Sequence, residues 1–193
     1  MPAIAKTSNL TIISAARQLI EQAGLDALSM HTLAAAVGIR PPSLYKRFQD
    51  RDAIIRAVQQ AEFAALETQI AAVATGQSPA ADLRAIARSH WQFAHARPHI
   101  YRIIFAASPT KEAVDIAVRA NALRPMLEAC NQLVGPGHAL MAARTLTAYV
   151  HGFATMEIAG AFHLGGSVED AFLFGVDTII HGLTVQAVNS STK

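Results

Sequence analysis

Only one cysteine, Cys130, occurs in the 193 residues, so no disulfide can form within the chain and a reducing cytoplasm is the expected compartment. Charge is scarce too. Charged residues make up 16% of the chain against 52% hydrophobic, a balance that excludes an intrinsically disordered protein. That hydrophobic share would suit a membrane protein, but no run of about 18 apolar residues escapes a charge or a helix breaker, so no span is expected. The first residues carry Lys6 and polar side chains, not the apolar segment of a secretion signal. Gly-rich phosphate loops, serine elbows and paired carboxylate motifs are missing as well, which leaves an enzyme without chemistry and gives no place for a cofactor. Histidine is plentiful, with eight in the chain, and His95 and His99 stand four residues apart. Pro98 ends the helix between them, and no cysteine or compact carboxylate cluster accompanies the histidines, so no metal site is expected. Cys130, among Leu127, Ala129 and Leu133, reads as a small buried hydrophobe.

What is present is helix. Ala, Leu, Ile, Gln and Arg dominate, and the apolar positions recur at i, i+3 and i+4 with no strand-like alternation. Asn9 or Thr11 caps a first helix that carries Ile12, Ala16, Leu19 and Ile20 and closes at Gly24. Ser29 caps a short helix stopped by Gly38, and Pro41-Pro42 opens another that runs through Phe48. Asp50 or Asp52 starts a longer helix reaching about Val73, and the Thr75–Pro79 stretch is a loop. Helices over Asp82–Arg97 and from Pro98 to Ala107 follow, with a break at Ser108-Pro109-Thr110. The last three are expected over Lys111–Leu133, His138–Phe162 and Ser167–Val188. The fold class is therefore all-α, about nine helices, divided into residues 1–57 and 58–193.

The net charge of +2 hides an uneven distribution. Through Val58 there are seven cations against four acids, and four of those cations lie between positions 40 and 51. A local basic patch on an otherwise near-neutral chain suits phosphate binding. The patch coincides with Ser29–Phe48, two short helices joined by a tight turn in which Gly38 supplies the positive-φ position. Ala34, Ala35 and Ala36 allow a second helix to cross closely, and Leu44 and Phe48, one turn apart, anchor that helix inward. Arg40, Pro41, Ser43, Lys46 and Arg47 then face outward, an arrangement that fits a major groove about 12 Å wide. Because Pro42 disfavours the α region at the residue before it, the helix is expected to begin at Pro42 with Pro41 leading in. Neither proline can donate a hydrogen bond, but their rings can pack on thymine methyls, so donor contacts fall to Arg40, Lys46, His31 and Arg47.

Gly38-Ile39, Ser43-Leu44-Tyr45, Phe48 and Arg51-Asp52 together resemble the signature of the TetR (tetracycline-repressor) family: a turn ending Gly-Val/Ile, a Thr/Ser-Leu-Tyr-x-x-Phe helix and a Lys-Glu-type start to the next helix. Ala15-Ala16, Leu19 and Gly24 fit the family's opening helix; Arg51 replaces its usual Lys, and Pro42 stands where Gly is common. The resemblance implies that Ser43, Tyr45 and Arg51 hold phosphates, that His31 and Thr32 reach the backbone or a base edge, and that Arg40, Pro41, Pro42 and Lys46 read bases. Two further stretches, Trp91–Phe105 and Leu146–Phe162 with His151-Gly152 and Glu157, resemble the WHG-type effector domain, although Tyr149 and Val150, not Trp, precede the His-Gly pair.

Tyr149, Phe153, Met156, Gly160 and His163 form one stripe at helical spacing, and Phe172, Val176, Ile179, Leu183 and Ala187 form another. Two readings of these stripes stay open: a seam between two protomers, eased by Gly152, Gly160, Gly175 and Gly182, or core within one chain. As a seam they imply a homodimer through the last two helices, with recognition helices about 34–36 Å apart and a palindromic double-stranded DNA operator. Trp91, Phe93, His95, Tyr101, Phe105, Met126, Tyr149, Phe153, Met156 and Glu157 are candidates to surround a small apolar or aromatic effector, ordinary core packing being the alternative for each. The functional expectation is a repressor released from DNA by that effector, and the rival is an architectural DNA binder with none.

Overall fold

The computed structural model describes residues 7–105 and 115–190. Among them are nine α-helices and one 3-10 turn, with no strand: α1 Asn9–Ala23, the turn Leu25–Ala27, α2 Met30–Ala36, α3 Pro41–Tyr45, α4 Arg51–Ala71, α5 Pro79–Ala96, α6 Pro98–Phe105, α7 Ile116–Val134, α8 Pro136–Ile158 and α9 Val168–Ser190. The all-helical expectation holds. The expected break at Ser108-Pro109-Thr110 and the helix start at Lys111 lie outside the described residues.

Local chemistry sets the helix ends, and several fall elsewhere than expected. Ser8, not Asn9 or Thr11, caps α1, its hydroxyl accepting from the Thr11 N–H at 3.1 Å. The chain begins α3 at Pro41, one residue early. In the first helical turn the N–H groups have no partner inside the helix, so two prolines at its first two positions lose nothing there, and their fixed φ is already helical. Asp50 accepts from the Ala53 N–H at 2.7 Å and starts α4. Asp82 does not start α5. That helix begins at Pro79, and the buried Asp82 carboxylate turns back to accept from the Thr75 N–H and hydroxyl and the Gly76 N–H, closing the loop. These hydrogen bonds, the Thr75 N–H foremost, hold its pKa below the usual carboxylate value. The eighth helix stops at Ile158, not Phe162, because Gly160 at φ 71° closes a Schellman motif in which Ala161 N–H donates to Met156 and Gly160 N–H to Glu157.

Two compact units result. One is built from the described residues within Met1–Phe63 and Arg97–Val118, the other from Ala64–Ala96 and Arg119–Lys193. The chain therefore returns to the first unit for α6 after leaving it within α4. In the first unit, Ile12, Ala16 and Ile20 of α1 meet Leu28, Leu33, Leu44, Ile54 and Val58 in a closed core. In the second, α5 packs on α8 and α9 through Leu83, Ile86, Ala87, Phe93, Leu146, Val150, Phe172 and Val176.

That packing divides the last two helices between the two open readings. Phe172 and Val176 are core of their own chain, and Tyr149 lies over Gly175, its hydroxyl donating to the Phe172 carbonyl at 3.0 Å. The outer face of the same helices leaves Met141, Met156, Phe174 and Val185 exposed, with Phe174 at 75%. Within Val168–Val188 of α9 lies an 18-residue window of mean hydropathy 1.4, long and apolar enough to cross a membrane by length and composition alone, where none was expected; 17% of that window is buried. Its apolar side is therefore not covered by its own chain.

Candidate nucleic-acid interface

The helix-turn-helix is set by its caps. Ser29 and Thr32 form a capping box: the Ser29 hydroxyl accepts from Thr32 N–H at 3.0 Å, and the Thr32 hydroxyl oxygen accepts from Ser29 N–H at 2.9 Å. Gly38 at φ 69° ends α2 in a Schellman motif, with Ile39 N–H donating to Ala34 and Gly38 N–H to Ala35. The following residue, Arg40, is extended and caps α3. Leu33 and Leu44 are both 0% exposed, and each contributes about 2 kcal/mol by leaving water. Although α3 itself ends at Tyr45, a further turn carries the chain to Phe48, whose N–H donates to the Leu44 carbonyl at 3.0 Å and whose ring is buried.

With Leu44 and Phe48 buried, the rest of this short segment faces out. His31, Arg40, Pro42, Ser43, Tyr45, Lys46 and Arg47 are exposed, Tyr45 at 53%, and Pro41 is half-buried. Three of the residues expected to touch DNA have partners in the protein. The Thr32 hydroxyl belongs to the capping box and lies 2.9 Å from the Ala27 carbonyl. Arg47 Nη1 donates to Asn9 Oδ1 at 3.2 Å, tying the end of the recognition segment to α1. Arg51 departs furthest from expectation. Its Nε donates to the Leu28 carbonyl at 2.7 Å and its Nη2 to the Leu25 carbonyl at 2.6 Å, so its guanidinium binds the chain leading into α2.

The sequence reading missed Glu62. This carboxylate is 1% exposed and paired with Arg17 and Arg97. Its signal was a charge among Ile55, Val58, Phe63 and Leu66, on the buried stripe of α4. The partners, 45 and 35 residues away, carried no signal of their own.

The ten effector candidates are divided between the two units. Tyr101 and Phe105 belong to the first unit, where their rings pack together at 4.9 Å and Phe105 meets Phe63 edge-on at 5.8 Å. In the second unit, Phe93 and Met126 are core, and Met156 is exposed. Trp91, His95, Tyr149, Phe153 and Glu157 do come together around Phe172. Trp91 Nε1 donates to Glu157 Oε2 at 2.8 Å, and His95 Nε2 stands 3.0 Å from the same oxygen. Trp91 and Tyr149 both stack on Phe172, at 5.5 and 5.8 Å. A cavity of about 200 Å³ opens beside Phe153, bounded by Phe162, Leu164, Val168 and Ala171. Burial lowers the pKa of His151, and burial together with the nearby His151 lowers that of His90 to about 4. No group of three or more potential metal ligands occurs among the described residues.

Two short helices crossing at a glycine turn, the second exposing basic and small polar groups, define a DNA-binding helix-turn-helix. Residues 12–58 match the family model described as bacterial regulatory proteins, tetR family, and residues 83–179, half of the chain, match the tetracyclin repressor-like C-terminal domain. The chain belongs to the TetR family and is a DNA-binding transcriptional regulator. It is 24% identical over 188 residues to the uncharacterized HTH-type transcriptional regulator YobS of Bacillus subtilis (strain 168), covering 97% of this chain and 98% of that protein. Its fold is shared by a protein of unknown function from Rhodococcus sp. RHA1, with a TM-score of 0.83 and 22% identity over 95% of this chain and 100% of that one. TetR from Acinetobacter baumannii AYE has the same fold, with a TM-score of 0.72 and 24% identity over 94% of this chain and 99% of that one.

Proposed function

We propose that the protein is a homodimeric repressor, cytoplasmic like the DNA it binds, that a small molecule releases from a palindromic operator. The observation that carries the DNA half of this reading is the exposed face around α3. Arg40, Pro41, Pro42, Ser43, Tyr45 and Lys46, with His31 from α2, present donors and apolar rings to a groove, while Leu44 and Phe48 hold the segment in the core. Thr32, Arg47 and Arg51 serve that face mainly by fixing it. The uncovered apolar side of α8 and α9 supports a two-fold seam, since exposed apolar surface of this extent marks an interaction site. Residues 1–57 then supply DNA contact, and 58–193 dimerisation and effector binding.

For the effector, Trp91, His95, Tyr149, Phe153 and Glu157 are the best-placed residues: an aromatic surface with one carboxylate handle. His151-Gly152 and Glu157, within the residues 83–179 that match the tetracyclin repressor-like C-terminal domain, support a WHG-type C-terminal domain. A variant of the Acinetobacter baumannii TetR is known in complex with minocycline, which supports an aromatic small molecule as the kind of effector. The protein's work is binding, and no reaction is assigned to it. Enrichment of duplexes from a randomised pool tests the reading. Bound sites are expected to be inverted repeats with half-sites about one helical turn apart, and released by aromatic compounds. Sites without two-fold symmetry would sink the dimeric repressor.

A further inference from the structure

We propose that Glu62 is a positioning residue for operator binding, clasping α1 and the start of α6 to α4 at the points where the chain leaves and rejoins its first unit. The inference rests on the DNA-binding reading above and adds a device to it. The chain leaves that unit after Phe63 and rejoins it at Arg97. Glu62 is the last residue but one before the departure, and Arg97 is the residue of return. Their side chains meet: Arg97 Nη1 donates to Glu62 Oε2 at 2.8 Å. From α1, Arg17 Nη1 donates to Glu62 Oε1 at 3.4 Å. The carboxylate is 1% exposed, whereas Arg17 and Arg97 keep 38% and 35% of their side chains accessible. A carboxylate taken out of water requires such partners, so opening either contact leaves a buried charge poorly compensated.

Four more contacts hold α6 in the same place. The Glu21 carboxylate at the end of α1 accepts from the Ile100 N–H at 3.1 Å and the His99 N–H at 3.5 Å. Gln59 Nε2 donates to the Ile103 carbonyl at 2.7 Å, and Phe63 meets the Phe105 ring. Thus α6, which the chain order places after α5, is fastened at both ends to α1 and α4. The first of these also packs against α2. A displacement of the chain at Arg97 is therefore handed through packed, ion-paired elements to the helix-turn-helix. With the clasp shut, the recognition helix has one placement. With it open, α1 and α6 can part, and affinity falls although every groove contact remains on the surface.

Glu62→Gln keeps the shape and removes the charge. The probe is the duplex that the wild-type protein enriches from a randomised pool. Affinity for it, measured by fluorescence anisotropy while circular dichroism shows the variant folded, is expected to fall about tenfold. The slope of log K against log salt is expected to stay unchanged, because no phosphate contact is lost. Arg97→Gln, at a partly exposed position, should repeat the loss and carries the test if Glu62→Gln does not fold. Arg97→Lys, which keeps a charge within reach of the Glu62 carboxylate, should hold affinity within about threefold. A lowered melting temperature with undiminished affinity of the folded protein makes Glu62 merely structural and overturns the proposal; so does a changed salt slope. Failure of the wild-type protein to enrich any duplex overturns the DNA-binding reading instead.

Discussion

Arg51 at the start of α4 donates its Nε–H to the carbonyl oxygen of Leu28 at 2.7 Å, and the same guanidinium reaches Leu25 at 2.6 Å. The fork of one arginine thus replaces water on two carbonyls in the chain that leads into α2. Hydrogen bonds from a charged donor contribute about 1.5–3 kcal/mol each, discounted here because Arg51 is only part-buried. Arg51→Ala is expected to destabilise the protein by about 2 kcal/mol, read as a shift in urea midpoint without a change in m. The salt slope of operator binding should stay the same. A slope lower by about one unit would restore Arg51 to the phosphate-binding role that its family position implies.

Arg40 and Lys46 give the opposite pattern. Both are exposed. Lys46→Ala is expected to leave the melting temperature unchanged within about 1 °C and to weaken operator binding, with a salt slope shallower by about one unit if its ammonium neutralises a phosphate. Arg40→Ala should cost about 1–3 kcal/mol and relax preference at one base pair of each half-site, provided it pairs with a guanine edge. Binding by both variants equal to wild type would move the groove face elsewhere.

The contrast between Arg51 and Lys46 shows what the sequence could disclose. Local patterns were legible: the glycine ends at Gly24 and Gly38, the Ser29 cap, and the inward Leu44 and Phe48 all follow from spacing within a turn or two. Contacts between distant segments were not. Nothing in the residues around Arg51 says that its guanidinium reaches back to Leu25 and Leu28. Nor does sequence distance tell that Glu62 meets Arg17 and Arg97. The aromatic candidates divide for a similar reason: Tyr101 and Phe105 share composition with Trp91 and Phe153, but the chain returns to its first unit at Arg97 and takes them with it. The mixed fate of the α8 and α9 stripes has a related cause. A helix with two apolar faces satisfies a spacing rule on both, and only packing decides which face is covered by its own chain.

Two glycines of α9 separate those faces. A Cβ on Gly175 would collide with the Tyr149 ring. Gly175→Ala is therefore expected to destabilise the folded chain by about 1–3 kcal/mol. Gly182 is exposed and has nothing within 4 Å of its would-be Cβ in its own chain. On helix propensity alone Gly182→Ala would stabilise by about 1 kcal/mol. If the seam lies on this face, the added methyl pushes two helices apart and the dimer weakens. Sedimentation across a dilution series should show dissociation at higher concentration than for wild type. A dimer that is equally tight and a protein that is more stable would place the seam on another surface.

The last prediction concerns acid. His90 is fully buried on α5, and burial, with His151 adding like charge, lowers its pKa to about 4. An unfolded histidine titrates near 6.5. Between those values the unfolded chain binds a proton that the folded chain refuses, so stability rises with pH across this window and is complete above it. Burial of His151 acts in the same direction. Asp82 contributes separately: its lowered pKa adds stability that is present above the ordinary carboxylate range and lost only at more acid pH. Moving from about pH 6.5 to about pH 5 should therefore cost about 2 kcal/mol through His90. Chemical denaturation at the two pH values measures the loss. His90→Asn is expected to be less stable near neutrality and to decline less steeply with acid, because the proton uptake on unfolding has been removed. Equal declines in variant and wild type would assign the acid sensitivity to other groups.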